Sequence, residues 1–291
     1  KADLQKTEET FFKMLYDMEF LPNSPTLMNA GTKTQQLAGC FVLPLPDSID
    51  GIFETLGNAA HIYKTGAGAG FSFSSIRPKH ALITTSKGAA SGPVSFLKIF
   101  DVTTEVMKQG GKKRGANIGI LRVDHPDIID FIRCKDFDEH IRNFNISVLI
   151  MPDFWDYYEK DEPYPLVNPK DGTVVKTVNP RVLFDKIVYQ AWESAEPGVI
   201  FFDKVNDYNP FYEHLGPIVT TNPCCEVLLY PNEPCNLGSI NVWKFARHDD
   251  DGNSYVDWEA LKEVTKSCTR FLDNVIDVNN FPLKAIEEMS L

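Results

Sequence analysis

No run of about 18 apolar residues occurs anywhere in the 291-residue chain, so no membrane-spanning helix is written into it. The first ten residues, Lys1 to Thr10, are polar and charged and lack the hydrophobic stretch of a secretory signal. The expectation is a soluble, cytoplasmic protein with no membrane partner. Basic residues are outnumbered: 29 Lys and Arg against 40 Asp and Glu leave a formal charge of -11. A broad nucleic-acid surface relies on clustered Lys and Arg, so nucleic acid is not expected as a partner, and any phosphate must be held locally. Cysteine is sparse, with six residues at 40, 134, 224, 225, 235 and 268. That is too few for a disulfide scaffold and reads as a set of intracellular thiols, some reactive and some merely core. His61, His80, His125, His140, His214 and His248 show no metal-ligand spacing. A zinc site on Cys224, Cys225 and Cys235 would lack both CxxC spacing and a fourth ligand, so no metal site is expected.

What is present is a 43% hydrophobic sequence long enough for a sizeable core. Its periodicities alternate. Helical rhythm runs through Leu4 to Phe20, Ser48 to Lys64, about Pro93 to Gln109, Pro126 to Cys134, Arg181 to Ser194 and Asp257 to Asn279. Short apolar strand patterns lie at Leu37 to Leu43, Phe71 to Ser74, Ala116 to Leu121, Asn145 to Met151 and Gly198 to Phe202. Five strands alternating with helices imply right-handed crossovers and a parallel sheet, an α/β architecture. Asp47 or Ser48 is placed to cap the second helix. Leu21 to Pro25 reads as a rigid loop that no helix crosses, Gly66 to Gly70 as a glycine-rich turn, and Asp161 to Lys176 as a surface excursion. Another helical segment begins just before Leu291, which suggests a truncated chain.

The sharpest local feature is Asn222-Pro223-Cys224-Cys225-Glu226, between Pro217 and Pro231. Were the segment extended, Asn222, Cys224 and Glu226 would project from one face, setting a thiol between an amide and a carboxylate. The amide can bind a substrate hydroxyl, the carboxylate can accept its proton, and sulfur can act as nucleophile or hydrogen-atom carrier. A neighbouring carboxylate raises a thiol's pKa and disfavours the thiolate, which tilts the reading toward radical chemistry. The plain alternative is a proline-rich loop with incidental cysteines. Cys40, on a core strand, and Cys235 could form a redox pair near Cys224, or Cys40 could be a small buried hydrophobe. Gly66 to Gly70 could approach a ligand closely, and Gly110 to Gly115 with Lys112, Lys113 and Arg114 could hold phosphate. Neither matches a Walker A loop.

Seven segments taken together resemble the ribonucleotide reductase large subunits in order and spacing: FLPNSPTLMNAG (20 to 31), Gly39-Cys40, Asp47-Ser48-Ile49, Gly66 to Ser74, GGKKRGANIGI (110 to 120), Asn222 to Glu226 and CNLGSI (235 to 240). The wording of SPTLMNAG, GAGFSFS and KKRGANIGI followed by His125-Pro126-Asp127 is most similar to the adenosylcobalamin-dependent class. The resemblance implies the first half of a ten-stranded α/β barrel, five parallel strands with helices, plus a finger loop bearing the radical cysteine. It divides the chain into 1 to 36, an N-terminal helix and substrate loop, and 37 to 291, the half-barrel with its finger at 217 to 231 and the start of the second half. It further implies that Cys224 becomes a thiyl radical, that Glu226 takes the substrate's 3' hydroxyl proton and that Asn222 binds substrate. Cys40 and Cys235 would supply two electrons and end as a disulfide. Thr26, Gly39 and Gly68 fall where the family contacts substrate, and Asp47, Ser48, Ile49 and Arg77 where it binds a deoxynucleotide effector. Gln109, Lys113, Arg114 and Asn117 fall in the loop coupling the two sites. Lys87 is not assigned, because the loop before it differs in length from the diiron class.

The implied activity is reduction of ribonucleoside di- or triphosphates to deoxyribonucleotides for DNA replication, of the ribonucleoside-diphosphate reductase type, under dNTP or ATP control. The implied cofactor is adenosylcobalamin, the reductant a thioredoxin-type protein or a C-terminal tail, and the assembly a homodimer. In the alternative class no cofactor sits in this chain and a diiron subunit supplies the radical. A nucleotide-binding fragment without catalysis and a plain dithiol oxidoreductase are the other readings. Cys225 stands where the family commonly has glycine, and this stretch alone is expected to be inactive.

Overall fold

The computed structural model describes residues 2–82, 88–109, 113–136 and 141–291. Lys87, His140 and Gly110 to Lys112, named above, lie outside the described residues. The chain forms two compact units, one made of the residues up to Gly39 with Pro234–Leu291, the other of Cys40–Glu233.

The first unit opens with α1 (Ala2–Tyr16), β1 (Phe20–Pro22) and α2 (Ser24–Asn29). The second unit follows with β2 (Cys40–Val42), α3 (Ile49–Lys64), β3 (Gly68–Ser72), α4 (Pro93–Val106), the small hairpin β4 (Lys108–Gln109) and β5 (Lys113–Arg114), and β6 (Asn117–Arg122). It continues through α5 (Ile128–Ile132), β7 (Phe144–Ile150), α6 (Asp153–Lys160), β8 (Tyr164–Val167), β9 (Val174–Val178), α7 (Pro180–Ser194) and β10 (Gly198–Phe201). Two short helices, α8 (Phe202–Asn206) and α9 (Tyr212–Leu215), lead to the hairpin strands β11 (Thr220–Thr221) and β12 (Leu228–Leu229). The chain then returns to the first unit with β13 (Pro234–Cys235), β14 (Gly238–Ile240), β15 (Ala246–His248), β16 (Ser254–Val256), α10 (Trp258–Val278) and α11 (Lys284–Ser290).

In the first unit α1 lays Phe11, Met14 and Leu15 against Val264, Cys268, Phe271 and Leu272 of α10, around Phe20 and Ile240. β1 pairs antiparallel with β14, Phe20 opposite Ile240. The rigid loop expected at Leu21 to Pro25 is instead β1 followed at once by α2. Asn23 caps that helix by accepting from the Thr26 amide at 3.0 Å, and Pro25 sits in the first turn, where its missing N–H costs nothing.

The second unit holds the parallel sheet that the alternation implied. β2, β3, β6, β7 and β10 are neighbours in chain order, and each adjoining pair runs parallel. A Cβ at Gly119 would meet Leu97, Phe73 and Phe144, so that side of the sheet belongs to the aromatic core, where Phe71, Phe73, Phe100 and Phe144 pack ring on ring. Strand alternation turns Ile118 and Ile120 to the other face, where they join Leu149 and Ile200 in a second buried cluster. Each such side chain contributes about 1.5–3 kcal/mol through burial.

Two local expectations are corrected and a third is narrowed to one residue. Of the glycine-rich stretch only Gly66 turns, at φ +79; Gly68 to Gly70 belong to β3, because those glycines serve close backbone approach. The excursion at 161 to 176 contains most of an antiparallel hairpin, β8 with β9. Its polar composition comes from the loop and from β9, which is exposed almost throughout, whereas Tyr164 and Leu166 of β8 are buried, Tyr164 edge-on to Phe154. Ser48, not Asp47, caps α3, accepting from the Gly51 amide at 3.1 Å.

Candidate active site on the finger loop

The motif that reads most clearly from sequence is the tip of the β11–β12 hairpin, in which Thr220 faces Leu229 and Thr221 faces Leu228. The tip is not extended. Pro223, with its fixed φ, and Cys225, in the left-handed region at φ +67, fold it into a tight turn closed by the Cys225 amide donating to the Asn222 carbonyl at 3.0 Å. The side chains therefore do not share one face. Asn222 is fully buried and staples the turn, its amide donating to the Val227 carbonyl at 3.1 Å and its Oδ1 accepting from the Val227 amide at 3.0 Å. Its Nδ2 reaches Sγ of Cys40 at 3.8 Å. Cys224 and Glu226 are exposed beside each other, and Cys225 is half-buried against the Ile118, Ile120, Leu149 and Ile200 cluster. Burial pushes the Cys224 thiol up, the Glu226 charge adds to this, and Cys40 contributes least. The thiol thus keeps its proton, as the carboxylate next to it implied.

The finger lies against the sheet because glycines let it. A Cβ at Gly68 would meet the Ala116 carbonyl at 2.0 Å and Pro223 at 2.9 Å, and one at Gly70 would meet the Thr221 carbonyl at 1.9 Å. Cys40, Gly68 and Asn117 each open their strand, so the tip sits at the N-terminal ends of the sheet. The finger's base is at the other end, where Val219 and Pro231 line a cleft of about 610 Å³ with Leu43, Ser72, Ser74 and Arg122.

The four residues assigned to an effector come together at the start of α3. The Arg77 Nε donates to both Asp47 carboxylate oxygens, at 3.1 and 2.8 Å, and its backbone amide donates to Oδ1 at 3.2 Å. Ser48 caps the helix and Ile49 stands exposed beside it. Of the coupling loop, Gln109 pairs with Lys113 in the β4–β5 hairpin. Asn117 is buried, donating to Thr104 Oγ1 at 2.7 Å and accepting from the Ala69 amide at 3.3 Å. In the first unit, Thr26 is buried with its hydroxyl 2.6 Å from Asn23 Oδ1. Gly39 donates to the carbonyl of Cys235, itself buried on β13, at 2.9 Å. Cys40 and Cys235 thus lie in different units, and none of the six cysteines forms a disulfide. Sequence reasoning missed Asn145, which donates to the Pro223 carbonyl at 2.8 Å, and Gly70; the only signal for the latter was the spacing of glycines. Among the described residues no cluster of three His, Cys, Asp or Glu could hold a metal ion, and no helix is long and apolar enough to cross a membrane.

The remaining cysteines are core. Burial pushes Cys134 up to about 12 and Cys268 up to about 11, from an ordinary 9.0. A folded-state pKa above the unfolded value stabilises the fold fully below about 9, and this contribution is lost as pH rises toward the folded value. The expected result is that the melting temperature falls between pH 9 and 11, and that a Cys134→Ala, Cys268→Ala chain shows a shallower fall; equal slopes would count against it.

A sheet of five parallel strands in chain order, crossed by a hairpin finger with a thiol at its tip, defines a thiol-bearing α/β barrel half. The chain belongs to the ribonucleotide reductase large-subunit family: residues 38–290 match the ribonucleotide reductase barrel domain, and residues 3–35 the all-alpha domain. It is 52% identical over 281 residues to the vitamin B12-dependent ribonucleoside-diphosphate reductase of Thermoplasma acidophilum, covering 96% of this chain and 36% of that protein. Identity to the reductase of the same name in Mycobacterium tuberculosis is 45%, covering 96% of this chain and 40% of that one. The ribonucleoside-diphosphate reductase large chain of Cryptosporidium parvum is 32% identical, covering 100% of this chain and 40% of that protein. The chain therefore spans well under half the length of these relatives. The Actinobacillus ureae class Id ribonucleotide reductase alpha subunit shares the fold, with a TM-score of 0.77 at 22% identity over 97% of this chain and 50% of that one.

Proposed function

We propose that this chain carries the radical thiol of an adenosylcobalamin-dependent ribonucleotide reductase, which converts ribonucleoside di- or triphosphates to their 2'-deoxy forms. The observation that carries the reading is Cys224, an exposed thiol at the finger tip with the Glu226 carboxylate exposed beside it; partial desolvation and the Glu226 charge favour its protonated form. Hydrogen-atom transfer needs S–H rather than the thiolate, so this environment suits a radical carrier better than a nucleophile. The same exposed thiol is what fits the chain to the cofactor. Adenosylcobalamin, when bound, supplies the radical that makes Cys224 a thiyl.

The chain's own residues do the rest. The Cys224 thiyl takes the ribose 3' hydrogen and Glu226 accepts the 3' hydroxyl proton. The 2' hydroxyl leaves as water on a proton from one thiol of the Cys40 and Cys235 pair, the other thiol's hydrogen goes to C2', and Cys224 returns its hydrogen atom to C3' as Glu226 returns the proton. Asn222 holds the substrate through Nδ2, whose contact with Cys40 Sγ is long at 3.8 Å. Cys40 and Cys235 provide two electrons and close a disulfide, reopened by a thioredoxin-type or C-terminal-tail reductant. Thr26, Gly39 and Gly68 contact substrate. Asp47, Ser48, Ile49 and Arg77 bind a dNTP or ATP effector, and the loop from Gln109 through Lys113 and Arg114 to Asn117 couples it to the substrate. A homodimer is supported by the apolar side chains left exposed on α3 (Ile49, Phe53) and α4 (Ile99, Val102, Val106).

The test is ribonucleotide reduction with dithiothreitol by this chain extended to the length of its relatives. Turnover is expected only with adenosylcobalamin present. Silence with that cofactor but activity with a diiron subunit would move the chain to the other class, and the higher identity to relatives named for vitamin B12 argues against that outcome.

A further inference from the structure

Asparagine is a poor strand residue, and β7 is otherwise Phe, Ile, Val and Leu apart from Ser147. Asn145 nonetheless sits on it, opposite Ile118 of β6, exposed among buried neighbours. Its Nδ2 donates to the carbonyl of Pro223 at 2.8 Å. That carbonyl belongs to the peptide bond joining Pro223 to Cys224, so the hydrogen bond fixes the plane from which the Cys224 Cα departs.

The residue on the other side is held as well. Cys225 adopts φ +67, a conformation disfavoured for a non-glycine residue, and it packs against the Ile118, Ile120, Leu149 and Ile200 cluster. Both neighbours of Cys224 are therefore tied to the sheet while its own side chain stands exposed. We infer that Asn145 is a positioning residue for Cys224: it anchors the Pro223 carbonyl so that the tip turn stays closed and the thiol is presented at one fixed place. This rests on the reading of Cys224 as the radical thiol, which it deepens.

The test has two arms. In this chain, the alkylation rate of Cys224 by iodoacetamide is followed against pH by peptide mass spectrometry for the native sequence, Asn145→Leu and Asn145→His. The leucine variant cannot donate, and its Cys224 is expected to react about fivefold faster at pH 8, the equivalent of one neutral hydrogen bond. The histidine variant retains a ring N–H and should restore the native profile. Should Asn145→Leu misfold, seen as reactivity appearing at the buried Cys134, Asn145→Val replaces it with a better strand former. A native rate and profile in the folded leucine or valine variant would overturn the proposal.

In the second arm, the chain extended to its relatives' length is assayed for turnover. Asn145→Leu should lower kcat and leave KM for the nucleotide unmoved, the pattern of a misplaced reacting group. A raised KM with unchanged kcat would overturn the positioning role. If Cys224→Ser retained activity, the proposed function would fail while the alkylation profile still decided the clamp.

Discussion

Replacing Cys224 with serine in the chain extended to its relatives' length is expected to abolish nucleotide reduction, by on the order of 10⁴-fold or more, the scale seen when the one group that carries the chemistry is removed. The fold should not notice. Cys224 is exposed, unlike Cys225, which packs against the core cluster, and exposed substitutions fall within about 0.5 kcal/mol. Serine has nearly the same size, so it preserves contacts while removing the S–H whose protonated form partial desolvation and Glu226 favour. The check is a turnover assay beside a thermal melt. Activity lost with the melt unchanged supports the radical thiol, whereas activity retained would remove Cys224 from the chemistry.

The second large effect lies under the finger. Gly70→Ala places a methyl group 1.9 Å from the Thr221 carbonyl, a backbone atom that no rotamer change can move aside. Either β3 or the finger must shift. Overpacking of this kind costs about 3 kcal/mol, roughly 5 °C in melting temperature for a protein of this size. Gly57→Ala, on the exposed side of α3 with nothing within 4 Å, is the matched control and should stabilise by about 0.5–1 kcal/mol through helix propensity. Equal melts for the two variants would show that the finger does not rest on β3 as described.

The five parallel strands and most of the helices were legible because periodicity reports which face is buried, and a parallel sheet needs little else. The tip was legible as a set of residues but not as a shape. Spacing alone put Asn222, Cys224 and Glu226 on one face, yet Pro223 and the left-handed Cys225 turn Asn222 inward, and no alternation rule foresees a cysteine at positive φ. Asn145 was invisible for a related reason. A polar residue in an apolar strand gives no sign of its partner when that partner is a carbonyl 78 residues away. Gly68 and Gly70 were read as turn formers that could also let backbone approach a ligand, and only the positions of Ala116, Pro223 and Thr221 show that what they admit is the chain's own backbone.

The finger runs from a base at the C-terminal ends of the strands to a tip at their N-terminal ends, with β11 lying along β3. Its length therefore works as a ruler. Each residue added to both arms would carry the thiol about 3.4 Å further along the sheet, past Gly68 and Cys40, and each pair removed would withdraw it by the same step. The count of residues between Thr220 and Leu229 therefore sets where along the sheet the thiol stands.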